Sequence, residues 1–424
     1  MRYWLETLGC PKNQVDSDKL AGTLEAEGYG AAASPSSADL VVVNTCAFID
    51  QARRESVDTI LALSETRRAG ARVVVTGCMA ERYGKELADA LPEVDLVAGF
   101  GVPVTISAKA AAPEDPGVPI PSFDLLNLPR PPANAPWAYV KVAEGCDRRC
   151  GFCAIPSFRG RQRSRRLDDI VAEVESLGVE EAVLVAQDLA SYGKDTAPGR
   201  RRAIEPLIRA VADRVRRVRL LYLYPSELDD GLIHVMGETG CAYFDLSLQH
   251  VSRPLLRGMR RWGAGDRFLE RIRQIRDLYP EAAFRSSFIV GYPGETEDDH
   301  DRLLAFLAEA ELDWAGFFPF SLEDGTHAAG LSEQVPPDLA AERLAEASEV
   351  QDAITFRRRQ DLVGSTVSVL VDEPGVARSH REAPEIDGLI RVPADLGTGE
   401  WVDVLITAAE GPDLDAEPLN AGVG

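Results

Sequence analysis

Between Trp137 and Phe320 six apolar runs succeed one another, separated by helix-length segments, with no return strand among them. The runs are Trp137–Val142, Ala182–Ala186, Arg219–Tyr224, Tyr243–Leu248, Ala283–Val290 and Ala315–Phe320. The clearest helical patterns between them are Leu167–Leu177, Gly265–Leu278 and Asp298–Glu311. Strands joined by helical crossovers pair in parallel, so this stretch predicts an open or partial (β/α)6 barrel. The helical run Pro337–Arg359 closes it.

The first hundred residues show the same alternation on a smaller scale. Apolar runs at Arg2–Leu8, Leu40–Asn44, Arg72–Thr76 and Val94–Ala98 read as buried parallel strands, and Val15–Ala26, Phe48–Ala69 and Arg82–Leu91 as the helices between them. From Ser107 to Pro136 eight prolines fall in thirty residues, which predicts a linker. After Asp361 short alternating runs (Thr366–Val371, Gly388–Val392, Trp401–Ile406) separated by Pro and Gly predict a small β-barrel. The expected fold is α/β, with an N-terminal open parallel sheet (1–106), a linker (107–136), a central partial barrel (137–359) and a C-terminal all-β barrel (360–424).

A composition 45% hydrophobic and 27% charged supports a packed core and excludes disorder throughout. No stretch approaches the roughly 20 apolar residues of a membrane span, and Met1–Cys10 lacks the features of a signal peptide. The expected location is the cytoplasm, where thiols stay reduced. The seven cysteines must then serve as ligands, nucleophiles or core residues.

Cys146, Cys150 and Cys153 form a C-x3-C-x2-C group in the loop after the first barrel strand, at the end where barrels place their active sites. Three thiols in so short a loop indicate a shared metal. Zinc asks for a fourth ligand, and no Cys or His lies close in sequence; a four-iron cluster on three cysteines keeps one iron open. The spacing favours the cluster and leaves zinc as the alternative. Cys10, Cys46 and Cys78 each follow a predicted strand, and the carboxyl ends of parallel strands share one edge of a sheet. A second cluster is the stronger reading of this trio, with three packed core thiols as the alternative. Cys241 reads as a core thiol with no assigned role.

The segment Cys146-Asp147-Arg148-Arg149-Cys150-Gly151-Phe152-Cys153 resembles the signature of radical S-adenosylmethionine (SAM) enzymes, C-x3-C-x-aromatic-C, with Phe152 as the aromatic residue. The resemblance implies a 4Fe-4S cluster whose open iron binds SAM, Phe152 against the adenine, and cleavage of SAM to methionine and a 5′-deoxyadenosyl radical. Together with the strand-end trio and the small terminal barrel, the chain resembles the radical SAM methylthiotransferases, whose terminal barrel is a TRAM domain. The segments Gly9–Asn13, Asn44–Ile49, Cys153–Gly160, Leu248-Gln249-His250 and Ala383–Gly388 are similar to the RimO-like branch. Ser247, where proline is expected, and Asp18, where glutamate is usual, depart from it.

That branch modifies the β-carbon of an aspartate in small-subunit ribosomal protein S-twelve; a MiaB-like branch, the alternative, modifies an adenosine in tRNA. The resemblance implies two 4Fe-4S clusters, on Cys146, Cys150 and Cys153 and on Cys10, Cys46 and Cys78. It also implies SAM as methyl donor and radical source, and an electron donor such as flavodoxin or ferredoxin. Gln187, Gln249, Ile289 and Gly291 sit at barrel strand ends, where SAM contacts are expected, and glycine there lets backbone approach a ligand. Tyr222, Tyr224 and Tyr243 read as core.

Charge bears on the substrate. The chain carries a net −22, and from Asp361 onward three arginines face thirteen Asp and Glu, a net −10. Such a module repels an RNA backbone and attracts a basic protein, which disfavours tRNA. The exception is Arg130–Arg166, with nine Lys or Arg against two acids. There Arg159, Arg161, Arg163 and Arg165 alternate, a pattern equally suited to a substrate-binding rim and to a solvated loop that softens the charge of the clusters.

Overall fold

The computed structural model describes residues 1–104, 124–196, 199 and 201–419. Of the expected linker, 107–123 lie outside the described residues; Leu125 and Leu126, just after, are buried.

The N-terminal sheet consists of β1 (Arg2–Thr7), β2 (Gly30–Ala31), β3 (Leu40–Thr45), β4 (Arg72–Gly77) and β5 (Leu96–Val97). All pairs are parallel, in the order β2-β1-β3-β4-β5. The central strands β3 and β4 are almost wholly buried, which their continuous Val runs require. Helices α1 (Pro11–Ala26), α2 (Asp50–Thr66) and α3 (Cys78–Ala90) make the crossovers. β2 has two residues, too few to leave a periodic signal.

In the central region β6 (Trp137–Lys141) leads into a hairpin, β7 (Ala143–Glu144) with β8 (Arg163–Ser164), that frames the Cys146–Cys153 loop. Parallel strands β9 (Glu181–Val185) and β10 (Arg217–Leu220) join β6; β11 (Tyr243–Gln249), β12 (Ala283–Val290) and β13 (Trp314–Pro319) form a second parallel set. One bridge, Leu223 to Leu246, connects the two sets and gives the expected six-strand sequence. The expected run Arg219–Tyr224 stops at Leu220 because Tyr222 has a left-handed φ of 66°, which ends the ladder. Its N–H is taken instead by Asp245 Oδ2 at 3.0 Å.

Helices α4 (Ile155–Arg159), α5 (Leu167–Leu177), α6 (Ile204–Ala212), α7 (Asp230–Glu238), α8 (Arg253–Gly258), α9 (Gly265–Leu278), α10 (Glu297–Ala310) and α11 (Pro337–Gln360) accompany these strands. Strand side chains alternate. Val140, Leu184, Phe244 and Phe284 pack in the cluster that includes the helices. Tyr139, Val183, Leu221, Tyr243, Ala283 and Trp314 form the interior cluster, together with Val15 of α1 and Ala383. Cys241 lies in that cluster, 2% exposed, as a core thiol.

The C-terminal barrel is closed in the order β14-β15-β16-β18-β17, with β14 at Thr366–Glu373, β15 at Val376–Arg378, β16 at Ile390–Arg391, β17 at Trp401–Glu410 and β18 at Asp413–Pro418. Three of these fall on the expected runs. β15 is too short to be read from sequence, and β18 (DLDAEP) buries only Leu414 and Ala416 between acidic residues.

Ion pairs join the parts. Glu323, just after β13, receives Arg53 of α2 and Arg82 of α3, each at 2.6 Å. Glu181 of β9 holds Arg219 at 2.7 Å and Arg378 of the terminal barrel at 3.0 Å. No helix among the described residues is long and apolar enough to cross a membrane.

Candidate functional site

The first cysteine trio stands at carboxyl ends of parallel strands, and the second in the β7–β8 hairpin just past the carboxyl end of parallel β6. Cys10 caps α1, Cys46 follows β3, and Cys78 opens α3 directly after β4. Two glycines make the convergence possible. A Cβ on Gly9 (φ 97°) would lie 2.8 Å from Cys46 Cβ, and one on Gly77 (φ 90°) would lie 2.6 Å from the Thr45 backbone. Asn13 ties the loops together. Its Nδ2 donates to the carbonyls of Leu8 (2.9 Å) and Thr45 (3.0 Å), and its Oδ1 faces Cys78 Sγ at 3.7 Å.

The three thiols feel one another electrostatically. Burial, aided by Cys10 and Cys78, pushes Cys46 up to about 12. Burial also raises Cys78, with Arg159 opposing. At Cys10 burial acts in the same direction, but Lys12 and Arg159 outweigh it and leave this thiol below its ordinary value.

The second trio lies in the loop between β7 and α4. Its loop is pinned by Cys146 N–H to Gly160 O (3.1 Å) and Gly151 N–H to Met259 O (2.7 Å). Gly145 (φ 76°) is required, since a Cβ there would meet Arg161 O at 2.2 Å. Burial pushes Cys146 up to about 11 and Cys153 to about 12, and these thiols also sense Cys150. Arg261 reaches Cys150 Sγ at 3.5 Å and stacks on Tyr224, 3.9 Å from the ring centre, as Arg148 does at 3.6 Å. Cys150, Arg148, Tyr224, Asp188, Lys194 and Arg260 line a cavity of about 730 Å³ beside the loop.

No three His, Cys, Asp or Glu side chains among the described residues stand close enough to grip a single ion. Within each trio the thiols are close enough to perturb one another, and three thiols without a fourth ligand are the donor set that a four-iron cluster with one open iron takes. Burial holds most of these thiols protonated when no metal replaces the proton, so metal uptake must release protons.

The residues named for SAM fall as follows. Gln187 continues the interior-facing alternation of Val183 and Val185, whereas Ile289 packs against the cluster that includes the helices. Gln187 Nε2 donates to Glu144 Oε1 at 2.8 Å, and its Oε1 is buried without a partner. Gln249 ends β11 with φ 70° beside a register shift. Phe152 is half-buried against the central core. At Gly291 (φ 75°) the missing Cβ accommodates helix α11, where it would lie 2.7 Å from Ala340 Cβ, and the N–H is taken by Glu295.

The alternating arginines do not form a rim. Arg159 is buried, Arg165 is buried against Glu173 at 2.7 Å, and Arg163 pairs with Asp124 at 2.8 Å. Arg161 is exposed beside the cavity, and Arg163 is exposed in its pair with Asp124. Arg159 falls outside the extended stretch because α4 ends there, and just past β8 the side chain of Arg165 is drawn inward by the buried Glu173. Two tyrosines read as core also belong to the junction. Lys12 Nζ lies 3.5 Å from the Tyr222 ring centre, and Tyr224 carries the two arginines above. Tyr243 is core, bonded to Asp387 at 2.6 Å.

Next to Gln249, His250 is fully buried, and its Nδ1 accepts the Ser252 N–H at 3.0 Å. Burial pushes its pKa down to about 4. The unfolded ring binds a proton below about 6.5 and the folded ring does not until about 4, so stability is full above this window and falls as pH drops through it. Chemical denaturation at about pH 7.5 and about pH 5 should show the wild type losing roughly 2 kcal/mol more than His250→Gln. Equal losses would sink this assignment.

An open parallel sheet, a six-strand partial barrel with C-x3-C-x2-C at its mouth and a closed terminal barrel define a radical SAM enzyme. Three family descriptions match in the same order: Uncharacterized protein family UPF0004 over residues 2–99, Radical SAM superfamily over 140–307 and TRAM domain over 363–419. A solved radical S-adenosylmethionine methyltransferase, TsrM from Kitasatospora setae, shares the fold at a TM-score of 0.50 and 16% identity, over 85% of this chain and 90% of its own.

Sequence relatives are much nearer. The ribosomal protein uS12 methylthiotransferase RimO of Saccharopolyspora erythraea is 43% identical over 99% of this chain and 96% of its own. RimO of Streptomyces coelicolor is 42% identical over 98% and 96%, and RimO of Cutibacterium acnes 40% over 99% and 98%. The chain belongs to the RimO family of radical SAM methylthiotransferases.

Proposed function

We infer that this protein adds a methylthio group to the β-carbon of an aspartate in ribosomal protein uS12. The observation that carries the reading is the placement of two cysteine trios at strand ends near one domain junction, where Arg159, six residues after Cys153, donates to Cys78. Cys146, Cys150 and Cys153 are assigned one 4Fe-4S cluster, and Cys10, Cys46 and Cys78 the other. When bound, the clusters and SAM supply the one-electron and group-transfer chemistry that an unactivated C–H bond demands.

The chain's own task is placement. Phe152, Gln187, Gln249 and Ile289 are assigned to hold SAM at the barrel mouth, with Gly291 shaping the adjoining turn. Gly9, Gly77 and Gly145 let the ligand loops close. Lys12, Tyr222 and Asn13 line the junction between the trios. The acidic terminal barrel fits a basic ribosomal protein, a flavodoxin or ferredoxin fits the need for electrons, and a cytoplasmic location suits both partners.

The test is mass spectrometry of ribosomal protein and tRNA after deletion of the gene. The methylthio mass should vanish from uS12 and remain on tRNA. Loss from tRNA with uS12 unchanged would establish the MiaB-like activity instead.

A further inference from the structure

The trio on the N-terminal sheet is not served by its own sheet alone. Arg159, the last residue of α4 and 8% exposed, comes from the segment that follows Cys153. Its Nη2 donates to Cys78 Sγ at 3.0 Å and to Asn13 Oδ1 at 2.9 Å. Its Nη1 lies 3.0 Å from both Glu144 oxygens and 3.2 Å from Asp16 Oδ2. The guanidinium stacks over Phe100, 4.2 Å from the ring centre. Lys141 shares Asp16 and Glu144 from the other side, at 2.7 Å from Asp16. This guanidinium is therefore oriented at five groups, and one of them is a cysteine sulfur.

We propose that Arg159 is a positioning residue that sets the electron affinity of the cluster held by Cys10, Cys46 and Cys78. The proposal rests on the reading of those cysteines as cluster ligands. A donor hydrogen-bonded to a ligand sulfur, and a positive charge beside it, stabilise the more negative, reduced state of a cluster. In this buried junction that interaction is poorly screened. Asp16 and Glu144 orient the guanidinium and temper its charge. Arg261 stands in a looser relation to Cys150, at 3.5 Å. A purely structural Arg159, present only to balance Asp16 and Glu144, would leave the potential of the cluster unmoved.

The experiment uses the full chain with Cys146, Cys150 and Cys153 replaced by alanine, so that one trio remains, reconstituted anaerobically with iron and sulfide. Redox titration followed by electron paramagnetic resonance compares Arg159 with Arg159→Gln, Arg159→Lys and Asp16→Asn in that background. Arg159→Gln should move the midpoint to a more negative potential, Arg159→Lys should restore much of the difference, and Asp16→Asn should move it the opposite way. Iron bound with one unchanged potential in all forms overturns the proposal. If Arg159→Gln takes up no iron, the Asp16→Asn comparison decides, and an unmoved midpoint there overturns it as well. A background chain that binds no iron at all is a different failure, that of the ligand assignment itself.

Discussion

Replacing Cys10, Cys46 and Cys78 together by alanine is expected to abolish methylthiolation while SAM cleavage continues, and to lower bound iron from about eight atoms per chain to about four. The physical reason is the separation of labour at the junction. These three thiols sit on one sheet edge, and Cys146, Cys150 and Cys153 sit in a different loop with its own backbone anchors. Emptying the first site leaves the second loop's bonds to Gly160 and Met259 in place. The reciprocal triple replacement, at Cys146, Cys150 and Cys153, should remove both SAM cleavage and methylthiolation. Iron analysis and chromatographic detection of 5′-deoxyadenosine, both after anaerobic reconstitution, read the outcome. Eight irons retained in the first variant would refute the assignment of those ligands.

Glu181→Ala should cost about 3–5 kcal/mol of stability, the largest single-residue loss foreseen outside the cysteines. Glu181 is fully buried on β9, with Arg219 at 2.7 Å, Arg378 at 3.0 Å and Arg217 at 3.5 Å. Burial raises its pKa, but the three guanidinium groups outweigh this and bring it down to about 2. Truncation leaves three buried guanidinium groups without the carboxylate they share, and Arg378 belongs to the terminal barrel. Urea denaturation should show the loss, and limited proteolysis should release the 360–419 region first. Iron content should stay unchanged, because the network lies apart from both trios. An unaltered denaturation midpoint would show that the remaining acids re-pair with these arginines.

The parts of the molecule that could be read from sequence are those specified by short-range pattern. The Val runs of β3 and β4 announce double-sided burial, and strand-end cysteines announce a shared edge once the strands are parallel. What escaped depends on partners far along the chain. Arg159 looks like one of four alternating arginines, yet its role is fixed by Cys78, eighty-one residues away. The break in the Arg219–Tyr224 run comes from Asp245 capturing the Tyr222 N–H, a side chain on the next strand. That α11 packs on Gly291 is likewise invisible in the sequence around that glycine. β15, with three residues, carries too little periodicity to be seen, and the few apolar residues of β18 stand between acidic ones.

The short helix Ile155–Arg159 begins two residues after Cys153 and ends at Cys78. This has a consequence for anyone recombining relatives. A chimera that grafts a foreign segment 1–99 onto this barrel inherits a sulfur that must accept an arginine from the host, and the splice will mature only if the donor's Asn13 and Cys78 geometry matches that guanidinium. The natural unit of exchange is thus the leading sheet plus residues 155–160, a module discontinuous in the gene.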